Sequence, residues 1–389
     1  MESDLYEEDH EAFRAVAREY VAREVTPHLD HWEKQRLVDR SAWLAAGKQG
    51  LLGLTVPEEY GGGGQSDYRF RAVLVEELAA VGATSLHLGF SINEDIVLPY
   101  LLDLGTPQQK SRWLPGFTTG ETISAVAMTE PGAGSDLRGI RTTAVRDGDE
   151  WVINGSKTFI TNGIQADLVL VAARTGVWDG AVELSLFVVE GGVAGFSRGR
   201  KLEKVGLHAQ DTAELFFDDV RVPASHLIGT EGRGLPHLME RLPKERLSIA
   251  FGAQAAAEAA LRWTMDYVFE RRAFGKAVAE FQTVAFALAE LETEVEAARA
   301  YVDKAILALN AGTLSAVDAA KAKWWATDMQ NRVVTRGLQL HGGYGYMVEY
   351  PIARAFADAR VQTIYGGTNE IMKEIISRDI AARRRTDGG

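Results

Sequence analysis

The chain has 389 residues, 46% hydrophobic and 25% charged, a globular composition too long for one core, so two or three domains are expected. A formal net charge of -12 argues against a nucleic-acid footprint, which needs a basic surface, although a local basic patch on an acidic molecule stays open. With no cysteine there is no disulfide framework, thiolate zinc site or cysteine nucleophile. The start, Met1 to Asp9, is acidic, unlike a secretory or transit segment, and no apolar run approaches the roughly 18 residues of a spanning helix. No membrane partner is expected, and the location expected is cytoplasmic or, after processing, the mitochondrial matrix.

In chain order, the first third reads as helical. Phe13, Val16, Ala17, Tyr20 and Val21 recur at three- and four-residue spacings and share one face. Gly61 to Gly64 is a loop, and Thr106-Pro107-Gln108-Gln109 has the form of a helix start with a capping box. From about Thr122 the period becomes two. Residues 151–153 and 158–160 flank Asn154-Gly155, which predicts a hairpin turn there. Residues 168–173, 184–189 and 215–220 are further short strands. After Gly234 the helical pattern returns over 245–271, 281–309 and 315–340, with alanine-rich runs that permit close packing. The expected architecture is α+β and multidomain: an N-terminal helical domain (1–121), a central β domain (122–234) and a C-terminal four-helix-type bundle (235–389). No repeat is present, and only 381–389 reads as a low-complexity tail.

Neither the dinucleotide fingerprint G-x-G-x-x-G nor the P-loop pattern occurs, and H-E-x-x-H is absent. The eight histidines show no metal-ligand spacing, so no metal is expected.

Five segments occur in order: Ala127 to Asp136 (AMTEPGAGSD), Phe159-Ile160-Thr161, Glu270 to Lys276 (ERRAFGK), Gln339 to Gly345 (QLHGGYG) and Ile364 to Glu370 (IYGGTNE). Taken together they resemble the acyl-CoA dehydrogenase family over nearly the whole chain. Within that family Gly366 stands where many members carry the catalytic glutamate. Leu242 to Leu247 (LPKERL) is similar to the helix from which the isovaleryl and long-chain branches present theirs, so the resemblance makes Glu245 the base.

The resemblance implies one FAD per subunit of a homotetramer. Met128, Thr129 and Ser135 would line its pyrimidine edge and pyrophosphate, Thr161 its redox-active edge, and Phe159 its ring where tryptophan is usual. Arg271, Phe274, Gln282, Gln339, Gly342 and Gly343 would reach a neighbouring subunit's FAD, and Thr368, Asn369 and Glu370 would bring a helix start to the diphosphate. Ser135, Arg246, Tyr365 and Gly367 would touch substrate. Local readings compete. Thr129 to Ser135 is also an ordinary Pro-Gly turn, Arg271 and Phe274 a surface arginine and a core aromatic, Thr368 a simple N-cap, and Lys244-Glu245-Arg246 a solvated first helical turn.

The implied reaction is α,β-dehydrogenation of a saturated acyl-CoA to the trans-2-enoyl thioester. Glu245 would take the α proton, flavin N5 the β hydride, and the Gly366 N–H with a ribityl hydroxyl the thioester oxygen. Electrons would pass to an electron-transfer flavoprotein. An acyl-CoA oxidase, a dehydrogenase of carrier-protein thioesters and a noncatalytic FAD-binding protein are the alternatives.

Overall fold

The computed structural model describes residues 5–179 and 181–386. Residues 1–4, 180 and 387–389, which include parts of the acidic start and of the tail, lie outside the described residues.

The chain begins with helices α1 (Glu8–Tyr20), α2 (Leu29–Gln35), α3 (Arg40–Lys48), α4 (Tyr68–Ala80), α5 (Thr84–Ser91), α6 (Leu98–Leu104) and α7 (Pro107–Thr119). Of the face read on α1, Ala17 and Tyr20 are buried with Val21, Trp32, Trp43 and Phe90, while Val16 stays exposed. Thr106 caps α7 as expected: its hydroxyl accepts the Gln109 N–H at 3.3 Å, and the Gln109 carboxamide accepts the Thr106 N–H at 2.7 Å. Between α5 and α6 the backbone widens into a π turn over Ile92–Val97, where the Leu98 N–H bonds to the Asn93 carbonyl.

The strands are β1 (Ser124–Ala127), β2 (Thr143–Asp147), β3 (Glu150–Thr161), β4 (Leu168–Trp178), β5 (Ala181–Glu190), β6 (Phe196–Lys201), β7 (Thr212–Pro223) and β8 (Leu227–Ile228). They form one sheet in the order β6-β7-β3-β2-β4-β5-β8, with β1 parallel to β4. Because side chains alternate along a strand, Leu168, Leu170 and Ala172 pack with Tyr100, Leu101 and Phe117 of the helical layer, while Val169 and Val171 pack with Trp151 and Phe187.

The expected hairpin at Asn154-Gly155 is not there. β3 runs unbroken through it, and the turn falls at Gly148-Asp149, flanked by the Asp147–Glu150 pair. Gly155 instead answers a close approach, since a Cβ there would lie 2.6 Å from the Thr142 hydroxyl. It also marks a bulge against β7.

The C-terminal part comprises α8 (Gly234–Glu270), the small ribbon β9 (Arg272–Ala273) and β10 (Lys276–Ala277), then α9 (Gln282–Asn310), α10 (Ala316–His341), α11 (Pro351–Ala359) and α12 (Asn369–Thr386). α10 packs on α8, α9 and α12, and α8 packs on α9, which makes the expected bundle. α8 starts well before residue 245. It passes through Pro243, which removes one helical hydrogen bond without ending the helix. Among the described residues no helix is long and apolar enough to cross a membrane.

Candidate active site

Since α8 already runs from Gly234, Glu245 belongs to a helix interior and not to a solvated first turn. It is 3% exposed, and Arg246 beside it is equally buried. The Tyr100 hydroxyl of α6 donates to Glu245 Oε1 at 2.9 Å. Burial pushes the Glu245 carboxyl up to about 7, while the Tyr100 hydrogen bond and the Arg246 and Arg241 charges hold it from going higher. Arg246 Nε has no partner among the described residues, and burial draws its guanidinium down.

One turn along α8, Ile249 occupies the same face as Glu245. A Cβ built on Gly366 would lie 2.2 Å from Ile249 Cδ1, so the side chain missing at 366 leaves space that Ile249 fills. Position 366 therefore lies against α8 one turn from position 245, the other position singled out for the base. Gly366 and Gly367 both take positive φ, at +62° and +86°. Their N–H groups form no hydrogen bond among the described residues. Tyr365, half-buried, precedes them, and burial pushes its hydroxyl well up.

The turn is held from beneath by Lys323 of α10, a residue with no motif to announce it. Its buried ammonium donates to the Gly367 carbonyl at 2.8 Å and to Asn369 Oδ1 at 2.9 Å. The Asn369 carboxamide in turn donates to Thr327 and Asp328. Asn369 thus spends its side chain inside the bundle, leaving only backbone for a ligand. Thr368 caps α12, its hydroxyl accepting the Ile371 N–H at 3.3 Å, and Glu370 is exposed at the helix start.

The loop from Met128 to Ser135 leaves β1 and is fastened to β3. Thr158 N–H donates to the Thr129 carbonyl at 2.9 Å, and Lys157 donates to the Met128 carbonyl at 3.1 Å and to Glu130 at 2.9 Å. Next along β3, Phe159 has φ +60° and is 68% exposed. A bulky residue rarely takes that conformation, and such strain clusters where a ligand is clamped. Thr161 is half-buried two residues on, Ser135 is exposed, and Gly132 and Gly134 have open space around them. This shelf, an aromatic face beside free backbone, suits a flat heteroaromatic cofactor with a phosphate tail, as FAD is.

Arg271, Gln339, Gly342 and Gly343 line a separate open groove of about 550 Å3, where Arg271 lies 5.7 Å from the Tyr344 ring centroid. Phe274 is 96% exposed rather than in a core, and Gln282 is exposed as the first residue of α9. Among the described residues no hydrogen bond or ring contact joins this groove to Phe159.

Residues 7–121 match the acyl-CoA dehydrogenase N-terminal domain, 125–220 the middle domain and 232–381 the C-terminal domain. The mitochondrial long-chain specific acyl-CoA dehydrogenase of Sus scrofa is 50% identical over 378 residues, which cover 97% of this chain and 87% of that protein. The crystal structure of an acyl-CoA dehydrogenase from Geobacillus kaustophilus has a TM-score of 0.94 at 50% identity, covering 97% of this chain and 100% of that one. A glutaryl-CoA dehydrogenase from Mycobacterium smegmatis, in complex with FADH2, has a TM-score of 0.90 at 27% identity, covering 97% of this chain and 96% of that one. Fold and relatives together define an FAD-dependent oxidoreductase. The chain belongs to the acyl-CoA dehydrogenase family.

Proposed function

We propose that this chain dehydrogenates a saturated, long-chain acyl-CoA between Cα and Cβ, with Glu245 as the base, and yields the trans-2-enoyl-CoA. The observation that supports it most is Glu245 itself: a buried carboxylate, pushed up to about 7, on the face of α8 that meets the Gly366 turn. A base poised near neutral pH is what abstraction of a proton α to a thioester requires. FAD, when bound, supplies the two-electron sink that accepts the hydride from Cβ.

In this reading the free N–H of Gly366 donates to the thioester oxygen and favours the enolate character that develops as the α proton leaves. Arg246, with an unpartnered donor, and Tyr365, Gly367 and Ser135 border the substrate. Met128, Thr129, Ser135, Phe159 and Thr161 hold the chain's own FAD. Arg271, Phe274, Gln282, Gln339, Gly342 and Gly343 reach a neighbour's FAD in a homotetramer, with Thr368, Glu370 and the Asn369 backbone beside the diphosphate. An electron-transfer flavoprotein takes the electrons onward.

Anaerobic mixing with acyl-CoA thioesters, short to long and straight to branched, tests the reading through bleaching of the flavin absorbance. Long chains are expected to bleach it fastest. Reaction confined to short straight chains would overturn the chain-length assignment, and no bleaching by any thioester would overturn the activity.

The quaternary part has its own test. Arg271→Ala should weaken FAD retention by about tenfold or more, because a charge-assisted hydrogen bond to phosphate is lost, and should loosen the assembly with it. Size-exclusion chromatography with the flavin-to-protein absorbance ratio reads both. A dissociated monomer with full FAD would contradict the shared site.

A further inference from the structure

Tyr100 sits in an apolar stretch, Val97-Leu98-Pro99-Tyr100-Leu101-Leu102, that reads as ordinary helical core, and its ring is fully buried. A buried tyrosine hydroxyl needs a partner, and here the partner is the base. We propose that Tyr100 is the positioning residue for Glu245, holding Oε1 so that Oε2 is the oxygen left to take the substrate's α proton. The proposal rests on the reading of Glu245 as the base and deepens it.

Two rungs join α6 to α8. Tyr100 and Asp103 are three apart on α6, Arg241 and Glu245 four apart on α8, so each pair shares a helix face. Arg241 bonds Asp103 at 3.0 Å and places its guanidinium 5.3 Å from the Tyr100 ring centroid, while Tyr100 bonds Glu245 at 2.9 Å. The first rung locks the ring that makes the second. Arg241 is itself tied to the His237 carbonyl at 3.0 Å.

The π turn over Ile92–Val97 sets which way α6 faces. It adds a residue to the turn just before Pro99, and π turns of this kind recur at functional sites. Buried bonds brace it: Asp95 accepts from Ser91 at 2.6 Å and from Arg71 at 3.3 Å, and Glu94 accepts the Gly53 N–H at 2.9 Å.

The single bond to Glu245 is also chemically apt. Oε2 has no hydrogen-bond partner among the described residues, and two or three donors on one carboxylate would drop its pKa far below neutrality. One donor fixes the group's orientation yet leaves it basic. The groups that act on Glu245 are Tyr100 on α6 and Arg241 and Arg246 on α8; behind them, Lys244 beside it on α8 faces Asp103 on α6, Glu94 and Asp95 on the π turn and Arg71 on α4, and Lys323 on α10 feels Arg246. Of these Glu94 is also pushed up to about 7 by burial, so it must be separated from Glu245 by experiment.

The test is the pH dependence of stopped-flow flavin reduction by a reactive acyl-CoA, on FAD-loaded protein. In Tyr100→Phe the carboxylate loses its donor, and the rising limb of the profile should move up by about one pH unit or more, with most of the high-pH rate kept. Replacing Tyr100 with 3-fluorotyrosine, a stronger donor of nearly the same shape, should move the limb down, and it decides the matter if the phenylalanine variant folds poorly. Glu94→Gln should leave the limb in place. A limb unmoved by both changes at Tyr100, or one that follows Glu94 instead, would overturn the proposal. Glu245→Gln in the same series tells the two readings apart: if it reduces flavin normally the base assignment fails, whereas if it is inactive and Tyr100 changes nothing, only the positioning role fails.

Discussion

Glu245→Gln is expected to bind FAD and acyl-CoA and to reduce the flavin about 100- to 10,000-fold more slowly than wild type, the range in which a lost general base falls. Glutamine keeps the shape, and its carbonyl can still accept from Tyr100, so α6 and α8 stay joined. A stability measurement on the same variant separates chemistry from folding. The Glu245 carboxyl is raised in the folded state, from 4.5 to about 7, so between those values the folded protein binds more protons than the unfolded chain. Stability contributed by this group therefore falls as pH rises through that window, and the full penalty of a buried charge is present above pH 7. Glutamine carries no such penalty, so at pH 8 the inactive variant should unfold at higher urea than wild type, by a margin that disappears below pH 4.5. An inactive variant that is also less stable at pH 8 would point to a structural role. Moving a carboxylate to Gly366 in this background should recover little, because the new Cβ meets Ile249 Cδ1 at 2.2 Å and the backbone there has positive φ. Recovery that appears only when Ile249 is also reduced to alanine would show that the two positions compete for one space.

The order of helices, strands and helices is legible in the sequence because period and capping are local: Thr106 announces α7 by residues that touch one another. The turn between β2 and β3 is not. Asp147-Gly148 and Asn154-Gly155 are both good hairpin signals, and the choice between them is made by Thr142, which crowds Gly155, and by the bulges of β3 against β7. The site divides the same way. Glu245, Gly366 and Phe159 stand in recognisable segments, but Tyr100, Ile249 and Lys323 do not. Tyr100 and Ile249 look like core because they are core, and Lys323, in Lys321-Ala322-Lys323-Trp324, looks like a solvated face until α12 closes over it. Their roles arise from contacts far apart along the chain: Tyr100 reaches Glu245 across 145 positions, Ile249 lies against Gly366, and Lys323 reaches Gly367 across 44. No local pattern reports such pairs.

Glu130→Ala is expected to cost about 3–5 kcal/mol of folding stability, the range for removing one partner of a buried ion pair. Glu130 accepts from Lys157 at 2.9 Å, from the Thr142 hydroxyl at 2.5 Å, and from the N–H groups of Arg141 and Thr142 at 2.7 and 2.9 Å. Burial alone would push its carboxyl up, but the bonds from Thr142, Lys157 and the backbone together hold it below the usual value. Alanine leaves Lys157, whose side chain has no exposed surface, with only the Met128 carbonyl. The damage falls on the loop from Met128 to Ser135, so FAD occupancy should fall along with stability. Lys157→Met should cost less, because Glu130 keeps three of its bonds, and the double variant should cost less than the sum of the two. The pH dependence is distinctive. Burial already draws Lys157 down to about 8, with Glu130 holding it from falling further, so without Glu130 the folded state releases the lysine proton at a lower pH than wild type does. Between that lower value and about 8 the variant's unfolded chain binds the extra proton, so its stability rises with pH while wild type's does not, and the deficit narrows. Urea unfolding at pH 6 and pH 8, at one protein concentration, with the flavin absorbance ratio taken on each sample, measures all of this. A loss below about 1 kcal/mol with full FAD occupancy, within the ordinary range of an exposed ion pair, would show that the Glu130–Lys157 pair does not hold the loop.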